Sequence, residues 1–139
     1  CIVSFGRGIK NSPEDNTRLV LKLAEVLDAV VGITVPITKR PFNVGESIGS
    51  KYFVPDRVIG TSGRKVNPLL YIASGISGAV QHLAGMKESE FVISINTDED
   101  SQIRDESDIF VKGSLEEILP VLIEEIREQR AKMIMRVKE

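Results

Sequence analysis

Short apolar segments rich in β-branched residues alternate along this chain with segments whose apolar residues repeat every three to four positions. The segments with the length and composition of buried strands are residues 1–5, 30–34, 57–60, 69–73, 91–95 and 109–111. Strands that alternate with helices form parallel sheets, because each crossover helix returns the chain to the same end of the sheet. We therefore expect an α/β fold, in which one parallel sheet has helices on both faces in three α/β/α layers.

The first helix is predicted to begin at Ser12, an N-cap candidate, followed by Pro13 at the first helical position. A second helix is expected after Gly75, where small residues lead into an apolar pattern that Gly85 can end. Residues 35–56, which include several prolines and glycines, are expected to be irregular with one short helix.

The last helix carries an apolar stripe, and Ser114 and Glu117 have the spacing of a capping box at its start. Pro120 stands inside this stripe. Because an interior proline clashes with the carbonyl four residues earlier, we expect one short turn and then a main helix from about Pro120.

Composition excludes several classes of function. The 139 residues suit one domain, and 18 Lys plus Arg against 20 Asp plus Glu give a net charge of -2, without a basic field for nucleic acid or anionic membrane. Cys1 and His82 are the only cysteine and histidine, so a disulfide framework, a zinc cluster and a His-based catalytic set are not expected. We predict no catalytic residue, no metal site, no membrane span and a cytoplasmic location. Residues 98–108 are acidic without calcium-loop spacing, which favours a solvated loop.

Candidate ligand-binding residues lie in loops that follow predicted strands. These loops are Gly6–Gly8, Gly60–Lys65, Gly75–Gly78 and Asn96–Asp98. In open parallel sheets ligands bind beyond the carboxyl ends of the strands, so we expect the four loops to converge. A glycine turn before a helix lets backbone N–H groups approach an anion, which suits a phosphate or pyrophosphate, and Arg7, Arg64 and Lys65 supply positive charge nearby.

These residue patterns leave alternatives open. The glycines of residues 75–78 are equally consistent with tight packing of a helix on the sheet, and no complete dinucleotide or P-loop glycine motif occurs. His82 is either a polar helix residue or a donor to a cofactor. Ser62 and Ser77 either satisfy turn backbone or bond a ligand. Arg7 is flanked by two glycines and is expected to be exposed. Because an exposed arginine gains no stability from packing, a functional role is favoured for it.

Residues 63–86, with the sequence GRKVNPLLYIASGISGAVQHLAGM, closely resemble the FAD-binding signature of the electron-transfer flavoprotein alpha subunit. Residues 4–8 (SFGRG) resemble that family's arginine-bearing first loop, and residues 95–98 (INTD) its later asparagine loop, in the same order. The resemblance covers nearly the whole chain as the C-terminal domain of that subunit. It implies that residues 1–139 form a single FAD-binding domain and are a fragment lacking the N-terminal domain of a longer subunit.

The resemblance implies a Rossmann-like domain that holds one FAD non-covalently. Such a protein is an electron carrier rather than an enzyme with its own substrate. It would pass electrons from dehydrogenases to a quinone-linked or similar acceptor, as a heterodimer with the electron-transfer flavoprotein beta subunit.

By position in the family motif, Arg7 would lie over the isoalloxazine, Ser62 would face flavin N5, and His82 would sit near the pyrimidine carbonyl. The resemblance also assigns Ser77, Gly78 and Gln81 to the ribityl–pyrophosphate region and Asn96 to the adenosine side. The remaining cofactor-binding candidates are Gly8, Thr61, Gly63, Gly75, Ile76, Asp98 and Ser114. A positive Arg7 near the ring would stabilise negative charge on the reduced flavin.

The chain departs from the family pattern at two places. Residues 61–64 read TSGR where the family usually has Gln-Thr-Gly-Lys, so one hydroxyl near N5 is kept and an amide is lost. Ser114 stands where an adenosine-binding acid is often found. Two other functions stay open: a non-redox AMP- or NAD-binding domain of the same fold, and an assembly domain that has lost its ligand.

Overall fold

A computed structural model of the chain describes residues 1–39 and 42–138. Its strands are β1 (Ile2–Phe5), β2 (Val30–Ile33), β3 (Leu70–Ser74), β4 (Phe91–Asn96) and β5 (Ile109–Lys112). Its α-helices are α1 (Pro13–Leu27), α2 (Glu46–Tyr52), α3 (Val80–Met86) and α4 (Leu115–Lys138). Short 3-10 helices occupy Arg7–Ile9, Val35–Lys39, Pro55–Arg57 and Gln102–Glu106. Residues 35–56 are thus mostly irregular around one short α-helix, as predicted, although Arg40 and Pro41 lie outside the described residues.

The five strands form one parallel sheet in the order β2-β1-β3-β4-β5. The predicted strand at 57–60 is wrong, because Arg57 ends a 3-10 helix and Val58 makes only an isolated parallel bridge to Ile33. The chain turns back at once, and the N–H of Arg64 donates to the carbonyl of Val58 at 2.8 Å. This bridge nevertheless lies beside β2, the position of the third strand in the 3-2-1-4-5-6 order of dinucleotide-binding folds.

Two apolar cores separate three layers. One core joins α1, α2 and α4 to one face of the sheet through side chains that include Phe5, Leu23 and Leu119. The other packs α3 and the Gln102–Glu106 turn on the opposite face, with Tyr71 and Met86 fully buried. Strand residues alternate between the two cores, because neighbouring side chains of a strand point to opposite faces. The predicted three-layer α/β/α fold is confirmed.

Predictions for three helices need correction. α4 runs unbroken through Pro120, whose missing N–H would have faced the carbonyl of Glu116, an exposed residue of the first turn where water can satisfy that carbonyl. The buried side chains of Leu119 and Ile123 hold this part of α4 against α1. α1 begins at Pro13 as predicted, but the Ser12 side chain makes no capping hydrogen bond.

α3 begins only at Val80, and Gly85 lies inside it instead of ending it. A Cβ at Gly85 would stand 2.3 Å from the backbone nitrogen of Gly60, so this glycine permits close packing of α3 on the chain after Val58. None of the helices in residues 1–39 and 42–138 is long and apolar enough to cross a membrane. In the same ranges, no group of three or more His, Cys, Asp or Glu side chains could hold a metal ion.

Candidate functional site

A cavity of about 520 Å³ opens at the carboxyl edge of the sheet, in the size range of small-molecule sites. It lies where β1 and β3 are neighbours and the chain leaves them for opposite faces, the switch point at which open α/β sheets bind ligands. The predicted site residues that line it are Arg7, Gly8, Gly75, Ser77, Asn96, Asp98 and Ser114. Three of the four predicted loops therefore converge here, together with the start of α4.

The loops after β1 and β3 meet at two glycines. The N–H of Gly8 donates to the carbonyl of Gly75 at 2.9 Å, and a Cβ on Gly8 would stand 2.4 Å from the Cα of Gly75. Gly75 also has a φ of 65°, which a side chain would strain. Only glycine at both positions allows the two loops to close the base of the cavity.

The backbone of the loop before α3 offers unpaired donors. Among the described residues, no acceptor pairs with the N–H groups of residues 76–81, although Gly75 N–H donates to Ile95. Ser77 and Ala79 of this stretch are exposed and line the cavity, and the exposed Arg7 lines it from the neighbouring loop. Backbone donors beside a guanidinium form an anion-binding arrangement.

Gly78 was predicted to let the backbone approach an anion, but the structure gives another reason for a glycine at this position. Its φ is 85°, and a Cβ there would stand 2.5 Å from the backbone nitrogen of Ile103. The glycine therefore lets this loop pass the Gln102–Glu106 turn, where Ile103 N–H donates to the Ser77 carbonyl at 3.0 Å. A side chain at Gly78 would disturb the fold before it met a ligand.

Asn96 connects two loops of the cavity. Its Nδ2 donates to the carbonyl of Ile76 at 2.9 Å, and its Oδ1 accepts from the N–H of Asp98 at 2.9 Å. The amide thus fixes the 75–79 loop to the end of β4, and Asn96 itself lines the cavity.

At the start of α4, Ser114 is engaged in the predicted cap: its Oγ accepts from the N–H of Glu117 at 3.2 Å and donates to that residue's Oε1 at 3.0 Å. The sequence analysis missed Glu116, which also lines the cavity. Its Oε1 accepts from Nδ2 of the buried Asn16 at 2.8 Å, and this hydrogen bond is the main reason that the pKa of Glu116 is lowered. The sequence offered only one signal for it, an acid in the first turn of a helix.

The 60–65 loop does not line the cavity. It rests on α3, where the N–H of Thr61 donates to the carbonyl of Gln81 at 2.8 Å. We call Thr61, Ser62, Gly63, Val80 and Gln81 the shelf; all five are exposed, Val80 to 72%. Since Ala79 lines the cavity and Val80 belongs to the shelf, the two surfaces adjoin.

His82 and Ile76, two other predicted site residues, are buried in the core beneath the shelf. The His82 carbonyl partner at Ile59, 3.0 Å from Nδ1, can only accept, so Nδ1 carries the proton. Nε2 then accepts from the hydroxyl of Tyr71 at 2.8 Å. Burial lowers the pKa of His82 from 6.5 to about 4 and raises that of Tyr71. His82 is therefore a neutral histidine whose two nitrogens are both hydrogen-bonded within the protein.

Comparison with known proteins agrees with this geometry. Residues 1–87 match the family described as the electron transfer flavoprotein FAD-binding domain. The chain belongs to this family. The predicted relationship and the predicted cofactor, FAD, are thereby confirmed.

Curated relatives match most of the chain. It is 40% identical over 126 residues to the electron transfer flavoprotein subunit alpha of Syntrophomonas wolfei, covering 91% of this chain and 36% of that protein. It is 38% identical over 128 residues to the acryloyl-CoA reductase electron transfer subunit beta of Anaerotignum propionicum, covering 91% and 32%. It is 41% identical over 123 residues to the protein FixB of Azotobacter vinelandii, covering 88% and 31%. The chain thus spans about a third of the length of these relatives.

The donors of the site fit FAD. A pyrophosphate needs hydrogen-bond donors and positive charge, which the backbone N–H groups of Ser77 and Ala79 and the side chains of Arg7 and Lys10 offer in the cavity lining. A flat ring system needs an open surface with apolar and polar groups, which the shelf provides through Val80 and its hydroxyl and amide neighbours. Cavity and shelf adjoin at Ala79 and Val80, which suits a two-part ligand.

Proposed function

We propose that this domain holds FAD with the pyrophosphate in the cavity and the isoalloxazine on the shelf, and that the protein to which it belongs is an electron carrier. The observation that carries the proposal is the run of backbone N–H groups at residues 76–81 without acceptors among the described residues, beside Arg7. Unpaired backbone donors are costly unless water or a ligand satisfies them, and an anion satisfies several at once.

Each surface has a distinct task in this proposal. The N–H groups of residues 76–81 and the Ser77 hydroxyl bind phosphate oxygens, and Gly8 and Gly75 keep the cavity narrow. Thr61, Ser62 and Gln81 offer hydrogen bonds to the edge of the ring, while Val80 offers an apolar contact. FAD, when bound, supplies the one- and two-electron redox chemistry that the protein side chains lack.

Arg7 and His82 have different roles in this proposal. Arg7 is exposed and lines the cavity, so its fixed positive charge favours negative charge on a nearby ligand. His82 stays neutral and holds α3 against Tyr71 and Ile59, and it thereby orients Gln81 and the rest of the shelf. We place it in the support of the site, one step away from the ligand.

The exposed shelf also indicates how a partner reaches the electrons. A ring bound on an exposed surface is accessible to another protein at short distance, and the relatives are named as subunits of electron transfer proteins. We propose the electron-transfer flavoprotein beta subunit as the permanent partner, with dehydrogenase donors, a quinone-linked or similar acceptor, and a cytoplasmic location.

The test is the chromophore of the intact protein purified with its partner. We expect flavin absorbance bands, release of FAD on denaturation, and a rise in flavin fluorescence when phosphodiesterase converts the released FAD to FMN. A bound AMP or NAD without flavin would favour the non-redox nucleotide-binding function, and a protein that neither contains nor binds any nucleotide would favour the assembly function.

A further inference from the structure

Two carboxylates line a cavity that we assign to a cofactor with negatively charged phosphates. Like charges repel, so the presence of these carboxylates requires an explanation. Glu116 at the start of α4 and Asp98 in the loop after β4 line the same cavity as Ser77 and Ala79, whose N–H groups have no acceptor among the described residues. A carboxylate beside a phosphate would weaken binding by repulsion. The part of the ligand that reaches Glu116 should therefore be a hydrogen-bond donor rather than a phosphate.

The Glu116 side chain is held in place from inside the protein. Nδ2 of Asn16 donates to Glu116 Oε1 at 2.8 Å and to the carbonyl of Ile9 at 3.2 Å, so one buried amide joins the Arg7–Ile9 turn to the start of α4. Asn16 is fully buried, and its Oδ1 has no partner among the described residues. Burying an amide with one end unpaired is unfavourable, which indicates that holding Glu116 is the role of this asparagine.

Glu116 keeps capacity for a ligand. A carboxylate accepts at about four positions on two oxygens, and the hydrogen bond from Asn16 uses one of them. Its hydrogen bonds lower the pKa of the group, so it is an acceptor at neutral pH. Ser114, the residue that the family resemblance placed here, uses its hydroxyl in the helix cap and offers less.

The topology shows which half of FAD would reach Glu116. The shelf lies beside α3 on one face of the sheet, whereas α4 covers the other face. The cavity at the switch point, with the donors of Ser77 and Ala79 in its lining, includes the start of α4 and adjoins the shelf. A ligand with its ring on the shelf and its pyrophosphate at these donors extends its adenosine toward α4. We propose that the carboxylate of Glu116, positioned by Asn16, accepts a hydrogen bond from a ribose hydroxyl of the adenosine half, an inference that rests on the proposed function.

The test compares Glu116→Gln with Glu128→Gln in the intact protein, by calorimetric titration with FAD and with ADP. Both variants remove one negative charge from an exposed position of α4, and only the first changes the cavity. We expect Glu116→Gln to weaken FAD and ADP by the same factor, about tenfold, as for one charged hydrogen bond. Glu128→Gln should bind both as the parent does.

A second arm identifies the donor. We expect either 2′-deoxy-ADP or 3′-deoxy-ADP to bind the parent about tenfold more weakly than ADP, and that difference to vanish in Glu116→Gln. Parental FAD affinity in Glu116→Gln, or an equal loss in Glu128→Gln, would overturn the inference. So would a loss confined to Asp98→Asn, which would move the contact to the other carboxylate. A parent protein that does not bind FAD would instead overturn the proposed function.

Discussion

The loop of residues 75–79 and the helix α3 that follows it are continuous in sequence, yet their polar groups are satisfied in opposite ways. In the loop and the first turn, the N–H groups of residues 76–81 find no acceptor within the described part of the chain. One residue later, His82 has a protein partner on each ring nitrogen. The state of the hydrogen bonds therefore tells ligand-binding candidates apart from supporting residues: the former have unpaired donors, and the latter are paired within the protein. Sequence position alone does not make this distinction.

The largest effect should come from placing a negative charge among the unpaired donors. In Ser77→Asp we expect FAD affinity to fall about a thousandfold, because an added carboxylate at about 4 Å from a phosphate costs roughly 4 kcal/mol at a partly exposed site. Ser77 is exposed, so the fold should persist. Flavin-binding titration and thermal unfolding measure the two properties separately.

The matched control is Ser77→Asn, which has nearly the same shape without the charge. It should retain most of the affinity. Equal losses in the two variants would show that the side chain fills space needed by the ligand, and unchanged affinity in Ser77→Asp would remove the phosphate from this loop. Ser77 serves better than Gly78, whose substitution would first collide with the backbone of Ile103.

Replacing the paired histidine should act on stability instead. His82→Leu leaves the carbonyl of Ile59 buried without its side-chain partner and removes one of the partners of the buried Tyr71 hydroxyl, at a cost of about 3 kcal/mol of unfolding free energy. Tyr71→Phe and the double variant complete a cycle, and the double variant should lose less than the sum of the two. Chemical denaturation without flavin gives these values.

The same variant separates two roles of His82. A supporting residue should lower stability with a small effect on FAD affinity once the protein is folded. If His82→Leu kept the parental stability and lost affinity, His82 would instead be the ligand contact near the pyrimidine carbonyl that the family resemblance implies.

The histidine also predicts a pH dependence with a definite sign. Its pKa is about 4 in the folded protein and 6.5 in an ordinary environment, so below pH 6.5 the unfolded chain binds a proton that the folded chain refuses. Stability is therefore complete above pH 6.5 and falls on acidification, by about 2 kcal/mol between pH 6.5 and 5.

Denaturation curves across this window check the effect. His82→Leu should be nearly flat between pH 6.5 and 5, whereas Glu116→Gln should keep the parental slope, because carboxyl groups titrate mainly below it. A parental slope in His82→Leu would show that another group is responsible.

Local patterns predicted most of the architecture, because strand composition, helix periodicity, the helix start at Pro13 and the cap at Ser114 depend on neighbours in sequence. Predictions failed where distant segments decide. The strand at 57–60 is reduced to a bridge by the return of Arg64 to Val58. Gly85 serves a helix contact with Gly60 rather than a helix end.

The candidate site shows the same limit. Loop position after parallel strands was enough to identify the cavity residues that include Arg7, Gly8 and Gly75. The burial of His82 depends on the carbonyl of Ile59, 23 residues earlier, and the cavity position of Glu116 depends on Asn16, 100 residues earlier. The folded sheet brings these distant residues together, and nothing in a single sequence indicates which of them will pair.

The smallest effect is expected from Arg7, and it tests whether the cavity acts on the cofactor by charge as well as by hydrogen bonds. Arg7 lines the cavity that adjoins the shelf, on an exposed turn, and its partly screened positive charge should favour the reduced, negatively charged cofactor by about 1 kcal/mol. In Arg7→Ala, at full FAD occupancy, we expect the reduction potential to fall by tens of millivolts. Arg7→Lys should keep part of the parental reduction potential, because the ring responds to the positive charge more than to the geometry of a guanidinium. Lys132→Ala removes a positive charge from an exposed position of α4 outside the cavity and the shelf, and it should leave the potential unchanged. Spectroelectrochemical titration measures all three, and an unchanged or raised potential in Arg7→Ala would return Arg7 to an ordinary solvated turn.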